Sequence, residues 1–215
     1  MRSFAALGIC VLALAYGAKA DITNGGFETG SLSGWTMTAT DPANNGWFAD
    51  NIGATPQNFL PTVGPSSGSW YAVTDQYDPG SNALSQSFTV PLGTTFTVLK
   101  FDYFINDYAG DGDFKAMVLG PGGNVLTGAG AVFTDDLGTQ MISNGVPNPY
   151  ATVTLALSLT AGQTYTLDFV ETDIDGPNNV GLDKVSVVAT PEPGSVALLL
   201  GVLAIVGTRF RRRLV

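Results

Sequence analysis

Between residues 21 and 188 apolar and polar side chains alternate in short runs, set apart by clusters of Gly, Pro, Asn and Asp, and helical periodicity is nearly absent. A period of two sends successive side chains to opposite faces, so each run reads as a strand with one face buried. In "NALSQSFTV" (82–90) Leu84, Gln86, Phe88 and Val90 share a face. In "FTVLKFDYFIN" (96–106) the apolar set is Thr97, Leu99, Phe101, Tyr103 and Ile105, opposite Phe96, Val98, Lys100, Asp102, Phe104 and Asn106. The pattern continues in "FKAMVLG" (114–120), "ATVTLALSL" (151–159), "QTYTLDFVET" (163–172) and "VGLDKVSVV" (180–188); in 163–172, Tyr165, Leu167, Phe169 and Glu171 line up. With "DITNGGFE" (21–28), "WFADNI" (47–52) and "WYAVTD" (70–75), about nine strands are predicted. That many short strands bury their apolar faces and limit bare edges best as two packed sheets, so the expected fold is an all-β antiparallel sandwich of the jelly-roll kind.

The two ends break this pattern. "MRSFAALGICVLALAYGAKA" (1–20) has Arg2, an apolar stretch from Ala5 to Tyr16, and small residues at Ala18 and Ala20, the layout of a signal peptide cleaved before Asp21. The stretch falls short of the roughly 20 residues needed to span a bilayer. Cys10 follows the branched Ile9, which argues against lipidation, and its removal leaves residues 21–189 without cysteine or disulfide. At the other end "TPEP" (190–193) is a stiff spacer, followed by "VALLLGVLAIVG" (196–207) and Arg209, Arg211, Arg212 and Arg213. A helix from 194 to 210 would be about 25 Å long, the lower limit for a membrane span, and the arginines would hold its end in the cytoplasm. The expected organisation is a signal peptide (1–20), a β-sandwich domain (21–189) and a C-terminal segment (190–215).

Composition narrows the chemistry. Residues 21–190 hold 17 acidic side chains and three basic ones (Lys100, Lys115, Lys184), a net −14 that repels phosphate backbones and makes nucleic acid a poor partner. The chain has no histidine, and with Cys10 removed no cysteine, which eliminates Ser-His-Asp and Cys-His catalysis and most zinc sites. A paired-carboxylate glycosidase needs a deep cleft that no insertion here could wall in, so the chain is read as a non-enzyme.

The order Pro191-Glu192-Pro193, short apolar helix, arginine cluster resembles the PEP-CTERM sorting signal of Gram-negative bacteria that make extracellular polysaccharide. That resemblance implies export across the inner membrane, temporary anchoring through the helix, and cutting near the Pro-Glu-Pro by an exosortase, leaving the domain at the cell surface or in the extracellular matrix. An ordinary single-span anchor is the alternative. "NGGFETGSLSGWT" (24–36), "GSWYAVTDQYDPGSNALSQSFTV" (68–90), "LKFDYFIND" (99–107) and "GLDKVSVV" (181–188) are similar in layout to galactose-binding-like jelly rolls, including carbohydrate-binding modules. There the resemblance implies a structural calcium held by Glu28 and Asp183 with carbonyls near Asn24, an oxygen set suited to a hard cation. Otherwise Glu28 caps a turn and Asp183 pairs with Lys184 or an amide.

Two further groups are candidates. Asp107, Asp111, Asp113, Asp173 and Asp175 could bind calcium if "NDYAGDGD" (106–113) faces "ETDIDGPNN" (171–179), though neither has EF-hand spacing and solvated loop charge is the default. For extracellular polysaccharide, aromatics that stack on sugar rings are the useful residues, and Trp47, Trp70, Tyr71, Tyr77 and Tyr108 are the candidates. Trp70 and Tyr71 point to opposite faces, and Trp35, after the turn "SLSGW", is assigned to the core.

Overall fold

The computed structural model describes residues 19–40, 46–77, 79–108, 111–126, 132–142 and 145–191. The signal-peptide body and the tail residues Glu192, Pro193, Arg209, Arg211, Arg212 and Arg213 lie outside these. Among the described residues no helix is long and apolar enough to cross a membrane.

The strands are β1 (Lys19–Ala20), β2 (Thr36–Ala39), β3 (Trp47–Asp50), β4 (Tyr71–Thr74), β5 (Gly80–Thr89), β6 (Thr94–Asp107), β7 (Asp111–Leu119), β8 (Val132–Asp136), β9 (Ala151–Leu157), β10 (Thr164–Asp175) and β11 (Asn178–Pro191). One antiparallel sheet has the order β3-β4-β11-β6-β9, with β1 also paired to β11; the other runs β2-β5-β10-β7-β8. From β4 onward the chain changes sheet at every step except β7 to β8, which wraps it into the expected all-β sandwich.

Strand alternation sorts the core as expected. Leu84 and Phe88 of β5, Leu99, Phe101, Tyr103 and Ile105 of β6, and Leu167 and Phe169 of β10 meet between the sheets. Phe101 sits at the centre, edge-on to Phe169 at 5.2 Å and to Phe133 at 5.7 Å. Gln86 shares this inward face because its amide is saturated: it accepts from Thr23 N at 2.6 Å and donates to the carbonyls of Thr23 and Gly34. Trp35 is in the core as assigned, against Phe27 and Phe169, with its indole N–H on the Asn24 carbonyl at 3.2 Å.

Three features depart from the pattern. Residues 21–28 form turns, not a strand, because Asn24 (φ 52°) and Phe27 (φ 57°) take left-handed conformations and the Asn24 side chain closes the loop onto Ser31, Ser33 and Thr29. The short strands β1, β2 and β8 add to those anticipated. The second face of β6 is buried too: Asp102, Phe104 and Asn106 lie under residues 61–71 and 148–150, with Tyr150 edge-on to Phe104 at 5.1 Å and Ser66 bonded to Asp102. Phe104 also lies across Gly181, its ladder partner in β11. A Cβ on Gly181 would fall 1.9 Å from Phe104 Cε1. Gly181→Ala should therefore cost about 1–3 kcal/mol through overpacking, read as a lower midpoint in urea unfolding.

Candidate functional site

The predicted calcium residues Glu28, Asp183 and Asn24 stand at the junction of the N-terminal turns with β11, and one loop, residues 66–70, covers the two carboxylates. Both Glu28 oxygens accept from Ser69 N (3.0 and 3.1 Å), and Oε1 also from Trp70 N at 3.3 Å. Asp183 Oδ2 accepts from the Ser66 and Ser67 amides at 3.0 Å and from Ser66 Oγ at 2.9 Å, while Oδ1 takes Lys184 N at 2.6 Å. The Asn24 carbonyl is occupied by Phe27 N and the Trp35 indole. These oxygens take N–H and O–H donors, which ties both carboxylates to the loop as a clamp. Gly68 (φ 66°) is required for it, since a Cβ there would sit 2.1 Å from Glu28 Oε1. Lys184, at a bulge in β11, reaches Asp102 at 2.9 Å instead of Asp183. Burial raises the Asp102 pKa, but hydrogen bonds from Thr152, Lys184 and Ser66 outweigh it and hold the carboxyl below its ordinary value.

Of the five aspartates, Asp107 and Asp173 lie near one another inside the sandwich, and Asp113 and Asp175 face outward. Strand alternation puts Asp113 on the outer face of β7, paired with Lys115, and Asp173 inward, while the register shift after Asp173 turns Asp175 out into solvent. Asp107 ends β6 inside the sandwich; of Asp111 only the backbone is described, in register with Asp175. Among the described residues no three carboxylates, cysteines or histidines form a metal-holding group.

The aromatic candidates divide sharply. Trp47 is 1% exposed, its indole N–H on the Asn82 carbonyl, because β3 faces it into the core. Tyr71 is fully buried, its hydroxyl held by Thr62, Asp50 and the Ile52 carbonyl; burial drives its pKa well above the usual phenol value. Neither offers a ring face to a sugar. Trp70 is half-buried over Gly30, and Tyr108 is half-buried with its hydroxyl enclosed near Asn179. Only Tyr77, 56% exposed, presents its ring to solvent.

Tyr77 belongs to one end of the sandwich, where the chain passes from β4 to β5, from β6 to β7 and from β10 to β11. Gln76 bridges to Asn178, Tyr108 N bonds to the Pro177 carbonyl, and Ile142 N to the Asp107 carbonyl, which gathers these loops. A further loop, residues 55–60, is tied to the same end by Asp75, fully buried, whose carboxylate accepts from the Gln57 and Asn58 amides and from Asn58 Nδ2 at 2.7 Å. The next residue, Phe59, is 75% exposed at φ 53°. A bulky side chain in the left-handed region costs about 1–2 kcal/mol; here Thr55 holds the turn, accepting from Phe59 N at 3.1 Å and, through Oγ1, from Leu60 N at 3.0 Å. Met141, Val146 and Ile174 are also exposed at this end. Phe59 went unnoticed in the sequence; its signal was an aromatic inside the turn cluster "TPQNF".

No family model matches the chain, and no curated protein matches it. Solved structures do resemble it in fold. TmCBM61, solved in complex with β-1,4-galactotriose, is 14% identical with a TM-score of 0.54, over 81% of this chain and 99% of that one. The K3 cleaved adhesin domain of Lys-gingipain from Porphyromonas gingivalis W83 is 17% identical with a TM-score of 0.52, over 80% and 96%. The enzymatically active domain of the bacteriophage CBA120 tailspike protein 4 has 14% identity and a TM-score of 0.51, but this chain spans 21% of its length.

The clamp reading is checked by Glu28→Gln, which keeps the shape and removes the charge. Stability should fall by about 1–2 kcal/mol as charge-assisted bonds weaken, by the same amount in EDTA and in calcium.

Proposed function

We propose that this chain is an exported, non-catalytic carbohydrate-binding domain that takes its glycan at the loop end described above. The observation that carries the reading is Phe59: an exposed aromatic ring held in a strained backbone conformation, on a loop anchored by Asp75 two residues before the exposed Tyr77. A ring kept exposed on so firmly held a turn gains contacts when a ligand covers it. Aromatic rings suit the apolar faces of sugars, and Gln57 and Asn58 carry amides able to bond hydroxyls beside them. The fold likeness to TmCBM61 supports the same class.

The aliphatic side chains at this end, Met141, Val146 and Ile174, favour a second reading, protein-directed adhesion, which the likeness to the Lys-gingipain adhesin domain also supports. Binding to purified polysaccharides separates the two. Tyr77→Ala and Phe59→Gly should each weaken retention about tenfold, the worth of ~1.4 kcal/mol per ring, while Leu92→Ala at the opposite end leaves it unchanged. Phe59→Gly should also leave stability equal or raise it by up to about 1 kcal/mol, since glycine adopts this backbone without strain. Wild-type protein retained on no polysaccharide would overturn the glycan reading in favour of adhesion.

Delivery belongs to the same proposal. The signal peptide sends the domain across the inner membrane, the C-terminal helix tethers it, and an exosortase cuts near Pro191, Glu192 and Pro193 to leave it at the surface or in the matrix. The order of spacer, apolar run and arginines supports this. Mass spectrometry of the mature protein should find a C-terminus near the Pro-Glu-Pro; an intact end at Val215 would contradict it.

A further inference from the structure

Beneath the loop end the interior is polar. On the inward face of β10, Glu171 and Asp173 follow Phe169 at two-residue spacing. Asn82 of β5 is the ladder partner of Glu171, and Asn178 opens β11 beside Asp107 of β6. Asn82, Glu171 and Asn178 are fully buried and Asp173 nearly so. Asn82 Nδ2 donates to Glu171 Oε2 at 3.1 Å and to Gln76 Oε1 at 2.5 Å. Four other acceptors receive no hydrogen bond: Glu171 Oε1, Asp173 Oδ2, Asn82 Oδ1 and Asn178 Oδ1. The Asn178 side-chain amide lies beside Asp173 and, as a donor, lowers that carboxyl's pKa against the burial that raises it, while its Oδ1 receives no hydrogen bond.

Among the described residues no ion pair reaches these acids. Lys115 pairs with Asp113 on the outer face of β7, Lys184 with Asp102 on the outer face of the other sheet, and Lys100 is exposed. Lys19 pairs with Val188, ten residues along β11 from Asn178. Without a counterion burial pushes Glu171 up to about 8, helped by Asp173 and Asp75, and pushes Asp173 up to about 6, helped by Asp107. Orphaned buried acceptors are costly, about 1–3 kcal/mol each and more for charged groups.

We propose that this polar layer is a divalent-cation site, with Glu171 Oε1, Asp173 Oδ2 and the amide oxygens of Asn82 and Asn178 as protein ligands. Two carboxylates supply the charge that balances the ion, and two amide oxygens extend the set. An all-oxygen set of this kind suits calcium, which accepts Asn carbonyls and irregular geometry, over magnesium, which keeps its waters and demands an octahedron. Softer metals find no nitrogen or sulfur ligand here. The ion would bind β5, β10 and β11 together directly below the exposed rim. The site is separate from the clamp at Glu28 and Asp183, and it does not depend on what the rim binds.

The test is the thermal midpoint of the full chain, stripped with EDTA and then supplied with calcium chloride. Wild type should gain several degrees, since a ligand bound by the folded state alone stabilises it. Glu171→Gln and Asp173→Asn should lose that gain, and Glu28→Gln should keep it. A readout independent of stability is terbium luminescence: Trp47, bonded to the Asn82 backbone, is placed to sensitise an ion at this site, so Trp47→Phe should cut the emission several-fold while the calcium gain survives. A wild-type midpoint unmoved by calcium would overturn the proposal, and so would a gain lost in Glu28→Gln but retained in Glu171→Gln and Asp173→Asn.

Discussion

The structure depends on β11 being inserted between β4 and β6. In the sheet order β3-β4-β11-β6-β9 no other strand joins the first part of the chain to the middle. Its inward residues Val180, Leu182, Val185 and Val187 complete the core, and its outward Asp183 anchors the loop of residues 66–70. The same strand also fixes β1 and, through the Val185 amide on the Gly25 carbonyl, the N-terminal turns. Nearly all of these pairings join residues far apart in sequence, so the ordering entropy of long loops has to be met before the reward arrives. The sandwich closes only when residues 178–191 are in place.

The long strands were legible because one of their faces is the core. β5, β6 and β10 carry the alternation over ten or more residues, and Leu84, Phe101 and Phe169 sit where it puts them. What the pattern cannot show is a second layer. Phe104 and Asp102 look like a solvent face in β6, yet segments without periodicity cover them, and nothing in those segments' sequence says where they lie. The turn at residues 21–28 was obscured by a similar limit: its strand-like spacing is overridden by the Asn24 side chain, whose bonds to Ser31 and Ser33 are a local geometry and not a period.

The candidate site was legible in part. The sequence allowed the loops at 106–113 and 171–179 to share an end without requiring it, offered Tyr77 among five aromatics, and put Glu171 in line with the core residues of β10. It could not rank the aromatics, since burial of Trp47 and Tyr71 depends on which face of a four-residue strand is covered. Phe59 is conspicuous by its exposure and its backbone angle, neither of which a turn cluster in the sequence displays. The resulting end combines opposites, with apolar side chains in water above polar ones out of it. Each half is unfavourable alone, and a fold kept by its core elsewhere can sustain both.

The scarcity of basic residues bears on resistance to proteolysis. Between residues 21 and 190 a protease of trypsin-like specificity has three bonds to attack, after Lys100, Lys115 and Lys184, and all three lie within β6, β7 and β11. Such an enzyme needs its substrate extended and unpaired, so digestion would wait on separation of central strands and not on the exposed loops. Durability against that class of enzyme is set by the opening of the whole sandwich.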